Sequence, residues 1–183
     1  MGGHNALLYM PLMPYLDSLW IGEGFYYDTS NADYLLVEVS GLPFGLMGEM
    51  LQDGGNPWRG MLYGMTCRYP WGGKDPAPIW KLRDDFGFDD VKLIGFWDDT
   101  LPVSSDREDV KATVYENAQG ELLICFASFA DQTVRFTPKG IPVGWEVFLP
   151  PVEGLQERRD YRGGELEIAP ASGVILWARR ADR

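Results

Sequence analysis

Asp17-Ser-Leu-Trp-Ile-Gly-Glu-Gly-Phe-Tyr-Tyr-Asp28 sets the grammar of the first half of this chain. Residues 15–21 read as a buried strand that breaks into a turn at Glu23, which Gly22 and Gly24 flank. Asn31 or Asp33 then offers a cap for a helix over 34–39. Residues 46–51 continue in helical style after Pro43, and Asn56-Pro-Trp-Arg-Gly60 is a turn that opens a further helix or strand. Residues 78–86 form another helix, with Pro early and Gly87 just past its end. Residues 93–97 read as a strand. Strand, loop, helix, helix, strand is α/β grammar. A complete (β/α)₈ barrel takes about 250 residues, so a chain of 183 holds two or three such units at most.

The second half follows another rule. Residues 110–117, 121–129, 133–137, 145–149, 165–168 and 174–179 are short runs rich in β-branched and aromatic residues. Thr133-Val-Arg-Phe-Thr137 and Glu165-Leu-Glu-Ile168 alternate apolar with polar at period two. Turn residues separate the runs, as in Asn117-Ala-Gln-Gly120 and Pro170-Ala-Ser-Gly173. Six strands at this spacing fit a small antiparallel β-sandwich. The expected fold is therefore α+β. Residues 1–100 form a partial (β/α) TIM-barrel-like segment, and residues 101–183 form the sandwich.

Charge narrows the function. The formal net charge is −11, which repels nucleic acid and anionic membrane surfaces and excludes both as expected partners. No stretch of about 18 apolar residues occurs, so no membrane-spanning segment is expected. Prolines 11 and 14 interrupt the apolar residues 6–16 and no basic segment precedes them, which argues against a signal peptide. Cys67 and Cys125 lie far apart, and His4 is the lone histidine. Neither a disulfide framework, a zinc site nor a Ser-His-Asp triad is expected from that inventory, and no cofactor is called for. Asp98-Asp99 lacks the loop pattern of a calcium site.

Acids and rings are concentrated together. Residues 1–100 carry 14 of the 27 Asp and Glu, 6 of the 16 Lys and Arg, and 17 of the 25 aromatic residues, so any site is expected there. Carboxylates beside flat aromatic faces suit a saccharide cleft: acids handle protons and hydroxyls, and rings stack on apolar sugar faces. Glu23, just past a strand, is the candidate catalytic residue. Its small neighbours allow a ligand to approach the backbone. Asp17 can bond sugar hydroxyls or hold Arg59 in a bidentate pair. Trp20, Tyr26 and Tyr27 offer a stacking platform, against the plainer reading that they are core. Arg59 can clamp a substrate oxygen or lock a carboxylate, and the lock is favoured. Asp28 and Asp33 read as turn and cap residues, and Glu38 as a solvated-face residue. The Asp-Asp pairs at 84/85, 89/90 and 98/99 read as solvated faces and loop caps.

Longer motifs carry a resemblance. They are Leu8-Tyr-Met-Pro11, Asp17-Ser-Leu-Trp-Ile-Gly-Glu-Gly-Phe25, Leu36-Val-Glu-Val-Ser-Gly-Leu-Pro-Phe-Gly-Leu-Met-Gly-Glu-Met50, Asn56-Pro-Trp-Arg-Gly-Met-Leu-Tyr-Gly-Met-Thr66, Pro78-Ile-Trp-Lys-Leu82 and Ile94-Gly-Phe-Trp97. Together they resemble the C-terminal part of bacterial glycoside hydrolases of the family-123-like group. The resemblance implies a larger enzyme with a central TIM-like barrel and a closing β-domain, of which this chain holds the last barrel strands and that domain. It further implies cleavage of β-linked N-acetylgalactosamine by an adjacent Asp-Glu pair, with the substrate's acetamido group as nucleophile. This sequence contains no Asp-Glu dipeptide.

The expected function is that of a C-terminal segment of a glycoside hydrolase acting on amino-sugar-containing glycans, with little turnover by the segment alone. The rival is a noncatalytic β-sandwich module that binds glycan or a partner chain. An incomplete barrel exposes a sheet edge and apolar surface, which favours self-association or docking onto an upstream domain.

Overall fold

The computed structural model describes residues 11, 12, 14–21, 26–50, 55–68 and 75–181. The protein is mixed α/β, with many strands and few helices. The first half runs β1 (Ser18–Ile21), α1 (Ala32–Tyr34), β2 (Met47–Met50), α2 (Pro57–Leu62), β3 (Thr66–Cys67), α3 (Ala77–Phe86) and β4 (Lys92–Ile94). The remainder is β5 (Ser104–Ser105), β6 (Val110–Glu116), β7 (Leu122–Ser128), β8 (Val134–Phe136), β9 (Pro138–Lys139), β10 (Trp145–Leu149), β11 (Arg159–Asp160), β12 (Leu166–Ile168) and β13 (Gly173–Arg180).

Six strands form one antiparallel sheet in the order β11-β10-β13-β7-β6-β4. It is the wall between two hydrophobic clusters. On one face Tyr115, Leu123, Cys125, Ala127 and Ile175 pack with helix residues Met61, Leu62, Ile79 and Phe86. On the other, Val114, Ile124, Phe126 and Leu176 pack with Val134 and Phe136 of β8 and Leu166 and Ile168 of β12. Strands β8 and β12 form their own antiparallel pair. Period-two alternation sends odd and even positions to opposite faces. Because both faces of the central strand are covered, β7 reads Leu-Leu-Ile-Cys-Phe-Ala-Ser and is buried at all seven positions. Gly173 marks a close contact, since a Cβ there would lie 2.5 Å from the Phe126 carbonyl and 2.7 Å from the Trp58 ring.

The other sheet is parallel and three-stranded, in the order β1-β2-β3. Parallel neighbours require crossovers, and here both are helical. The first is α1, which continues as a π-helical segment over Leu35–Val39; the second is α2. The described strands close no barrel.

Asn31, one of the two caps the sequence offers, caps α1, its side chain accepting from the Tyr34 amide at 2.8 Å. Helix α3 ends at Gly87 in the left-handed conformation, also as expected. The expectation of helix over 46–51 is overturned: Met47–Met50 is strand β2. Its alternation is exposed, buried, half-buried, buried, which is period two rather than 3.6. Gly48 is the physical reason. A Cβ there would meet the Ser40 carbonyl at 2.4 Å, so only glycine lets the end of the π-helical segment press this closely onto the strand. The strand expected over 93–97 stops at Ile94 and turns, because the Trp97 indole lies against the backbone of Gly95. The buried start expected for the strand over 15–21 is also corrected. Tyr15, Leu16 and Asp17 are exposed, and β1 begins only at Ser18.

Candidate functional site

Parallel strands put all their carboxyl ends on one side. Here those ends are also in register, since Ile21 pairs with Met50 and Met50 with Cys67. The chain therefore leaves the sheet three times along one row. In α/β architectures that end of the sheet carries the functional loops. Glu23 follows β1 at this end, within residues 22–25, which lie outside the described residues.

Asp17 precedes β1 and is exposed. Strand β1 is extended from Ser18 to Ile21, so about 10 Å of backbone rise separates its two ends. Trp20 lies in β1 with its backbone paired to Glu49. Tyr26 re-enters the described structure with 74% of its surface exposed. Its carbonyl accepts from the Ser30 hydroxyl at 2.9 Å, which tightens the 26–30 turn. Tyr27 faces inward and is core. Asp28 accepts from Asn56 Nδ2 at 2.6 Å.

Arg59 occupies the interior, 3% exposed, on α2. Asn56 caps that helix by accepting from the Arg59 amide at 2.9 Å, and Pro57 follows the cap. The guanidinium then works on main-chain carbonyls. Nη1 donates to Tyr27 and Ser30, the latter at 2.9 Å, and Nη2 donates to Ser128 at 3.1 Å. Its plane lies 4.2 Å from the Phe129 ring centroid. Burial lowers its pKa, and Asp28 opposes that shift. The expected carboxylate lock with Asp17 is thus replaced by a backbone lock, with Asp28 as the nearest named charge. One side chain fastens the turn after β1 to the end of β7. The Arg59 Nε makes no hydrogen bond among the described residues.

Two more polar contacts bind the layers. Thr113 Oγ1 donates to the Leu62 carbonyl at 2.7 Å, and the Tyr115 hydroxyl donates to Met61. Both satisfy carbonyls that the end of α2 leaves unpaired. Burial pushes the Tyr115 phenol well above its ordinary range. These groups are structural.

One row before the carboxyl ends, residues 20, 49 and 66 are neighbours. The sequence reading missed Glu49 because it took 46–51 as helical. Read at period two, Met47-Gly-Glu-Met50 places Glu49 opposite the buried Gly48 and Met50, on the face away from the core. Glu49 is half-buried and makes no hydrogen bond or ion pair among the described residues. Next to it, Thr66 Oγ1 accepts from Trp80 Nε1 at 2.9 Å, and Trp80 is 38% exposed. Arg83 donates to the Met65 carbonyl, so α3 is tied to residues 65 and 66 at the start of β3.

A separate groove of about 1250 Å³ runs between α3 and residues 151–158. Its charges are mixed, with Asp75, Asp85, Glu153 and Glu157 facing Lys81 and Arg158, and none of the candidate residues lines it. Among the described residues no group of three His, Cys, Asp or Glu side chains could hold a metal ion, and no helix is long and apolar enough to cross a membrane.

Two family models match the chain. Glycoside hydrolase 123, TIM-barrel domain, matches residues 2–70, and glycoside hydrolase 123, C-terminal domain, matches residues 75–179. The chain belongs to glycoside hydrolase family 123. No match was found among curated proteins or among solved structures. In this family 123 chain the first match holds β1, β2, β3, α1 and α2, and the second runs from α3 into β13. The composition break near residue 100 lies inside the second match.

Proposed function

We propose that this chain is the C-terminal segment of a glycoside hydrolase acting on glycosidic bonds of amino-sugar-containing glycans. In this reading β1–β3 and their helices are a partial (β/α) barrel. The antiparallel strands form a sandwich that backs it and does no chemistry. The observation that carries the reading is the terminal row Ile21, Met50 and Cys67, from which three successive segments leave the parallel sheet.

Glu23 is assigned to proton transfer or hydroxyl binding within the first of those segments. As a general acid or base it needs burial among rings to bring its pKa toward neutrality. Tyr26, exposed three residues later, stacks on a sugar ring. Trp20 belongs to the same aromatic set. Arg59 orders the turn that carries Tyr26 by holding the Tyr27 and Ser30 carbonyls. Asp17 is kept as a hydroxyl-binding residue at the other end of β1. Glycoside hydrolysis uses two carboxyl groups at about 5–5.5 or 6.5–9.5 Å, so a second acid is required from another strand.

The test is hydrolysis of an aryl β-N-acetylgalactosaminide by the polypeptide of the complete reading frame. Glu23→Gln should lower kcat/KM by about 100-fold or more, and Tyr26→Ala should raise KM. Full activity in Glu23→Gln removes the assignment. A second reading, a noncatalytic glycan- or partner-binding module, draws support from the groove beside α3. In that case sugar binding occurs without turnover and is indifferent to Glu23.

A further inference from the structure

We propose that Glu49, with Thr66 and Trp80, forms a saccharide-binding subsite on the face of the parallel sheet away from its helical crossovers. The inference rests on the saccharide reading above, but assigns the contacts to residues other than those the β1 turn supplies.

Register comes first. Glu49 and Thr66 are Cα partners, one position before the strand ends. Met50 and Cys67, their successors, are buried with the helices. Alternation then turns Glu49 and Thr66 to the opposite face. Met47, two residues earlier on that face, is 50% exposed. Both helical crossovers lie on the Met50 side, where Leu35, Val39, Met61 and Leu62 share its cluster.

Chemistry comes second. An ionised carboxylate has about four lone-pair sites, all acceptors. Those of Glu49 are filled by no described residue, although the side chain is half-buried. A ligand rich in hydroxyl donors supplies partners for them. Trp80 supplies the complementary part. Its Nε1 is anchored on Thr66, so the ring keeps one orientation while more than a third of it stays exposed. An anchored aromatic face beside a free carboxylate matches a neutral sugar, apolar on one ring face and hydroxylated at its rim. A metal ion fits poorly, because Glu49 belongs to no group of three acidic, His or Cys side chains among the described residues.

The experiment titrates the 183-residue chain with the methyl β-glycoside of N-acetylgalactosamine, read by calorimetry and by the Trp80 indole N–H resonance. Glu49→Gln keeps the shape and removes the charged acceptor, and about a tenfold weaker affinity is expected. Trp80→Phe keeps a ring but loses the anchor, and a smaller, several-fold loss is expected. Circular dichroism verifies that each variant is folded; the second variant decides if the first is not. Glu23→Gln and Tyr26→Ala are titrated alongside. Losses in Glu49→Gln and Trp80→Phe support the subsite, and if the other pair then binds normally, the β1-turn reading fails while the subsite stands. Losses in Glu23→Gln and Tyr26→Ala with Glu49→Gln at parental affinity overturn the subsite alone. No binding by the parent chain overturns the subsite, and the β1-turn reading is then decided by hydrolysis with the complete reading frame.

Discussion

The six-stranded sheet packs against other elements on both faces, and among the described residues the three-stranded sheet packs helices on one. Strand β7 is covered along its whole length, between the helices and the β8–β12 pair. Strand β2 alternates between the core and a second face on which Met47 is exposed and Glu49 half-buried. The first arrangement maximises burial and leaves no surface for a ligand. In the second, one side is less buried among the described residues. Under the proposed reading stability and recognition fall to different sheets, and Arg59 is the joint, holding the turn after β1 to the end of β7.

Four substitutions test that division. Phe126→Ala should have the largest effect. Phe126 is 1% exposed and its ring centroid lies 4.9 Å from that of Phe136, so its loss should cost about 3–5 kcal/mol in urea unfolding. A cost under 1 kcal/mol would mean that the six-stranded sheet is not the stabilising wall. Arg59→Ala should follow at about 2–4 kcal/mol, because three main-chain carbonyls lose a charged donor. Hydrogen exchange should quicken first at residues 26–30, and Arg59→Lys should restore little, since one ammonium cannot reproduce the fork. Asn56→Ala removes the α2 cap and the links to Asp28 and Ala171, at about 1–2 kcal/mol. Met47→Ala, on the face away from the helical crossovers, should change stability by no more than about 0.5 kcal/mol. A larger loss there would show that this face is covered.

Acid sensitivity sharpens the same contrast with the smallest effect. The Arg107 guanidinium holds the Asp109 carboxyl below the usual carboxylate range, through bonds of 2.8 and 2.7 Å. A folded-state pKa below the unfolded one adds stability above the unfolded value of about 4. That stability is lost as pH falls through the folded value. Asp109→Asn should therefore lower the melting temperature slightly at pH 7 and not at pH 2, with only a small amplitude at so exposed a pair. An equal drop at both pH values would assign the effect to packing instead.

Strands β6, β7, β8, β10, β12 and β13 were legible because their signals are local. Period-two runs ended at Gly, Asn and Pro turns, and 145–149 coincides with β10. Gly87 and Asn31 declared their helix ends for the same reason. Strand β2 was not legible, because Gly48 contributes no hydrophobicity and its role is to admit Ser40. The π-helical stretch over Leu35–Val39 has no local signature either. Arg59 was singled out, but its partners are carbonyls, which a sequence cannot reveal because every residue carries one. Glu49 escaped notice because its meaning depends on which face of β2 the helices cover.

The most direct test is amide and indole chemical-shift mapping of the labelled chain during titration with the methyl β-glycoside of N-acetylgalactosamine. The account predicts perturbations gathered at Tyr26, Glu49, Thr66 and the Trp80 indole, with β8 and β12 unmoved. Perturbations confined to α3 and residues 151–158, or to the β8–β12 pair, would contradict it.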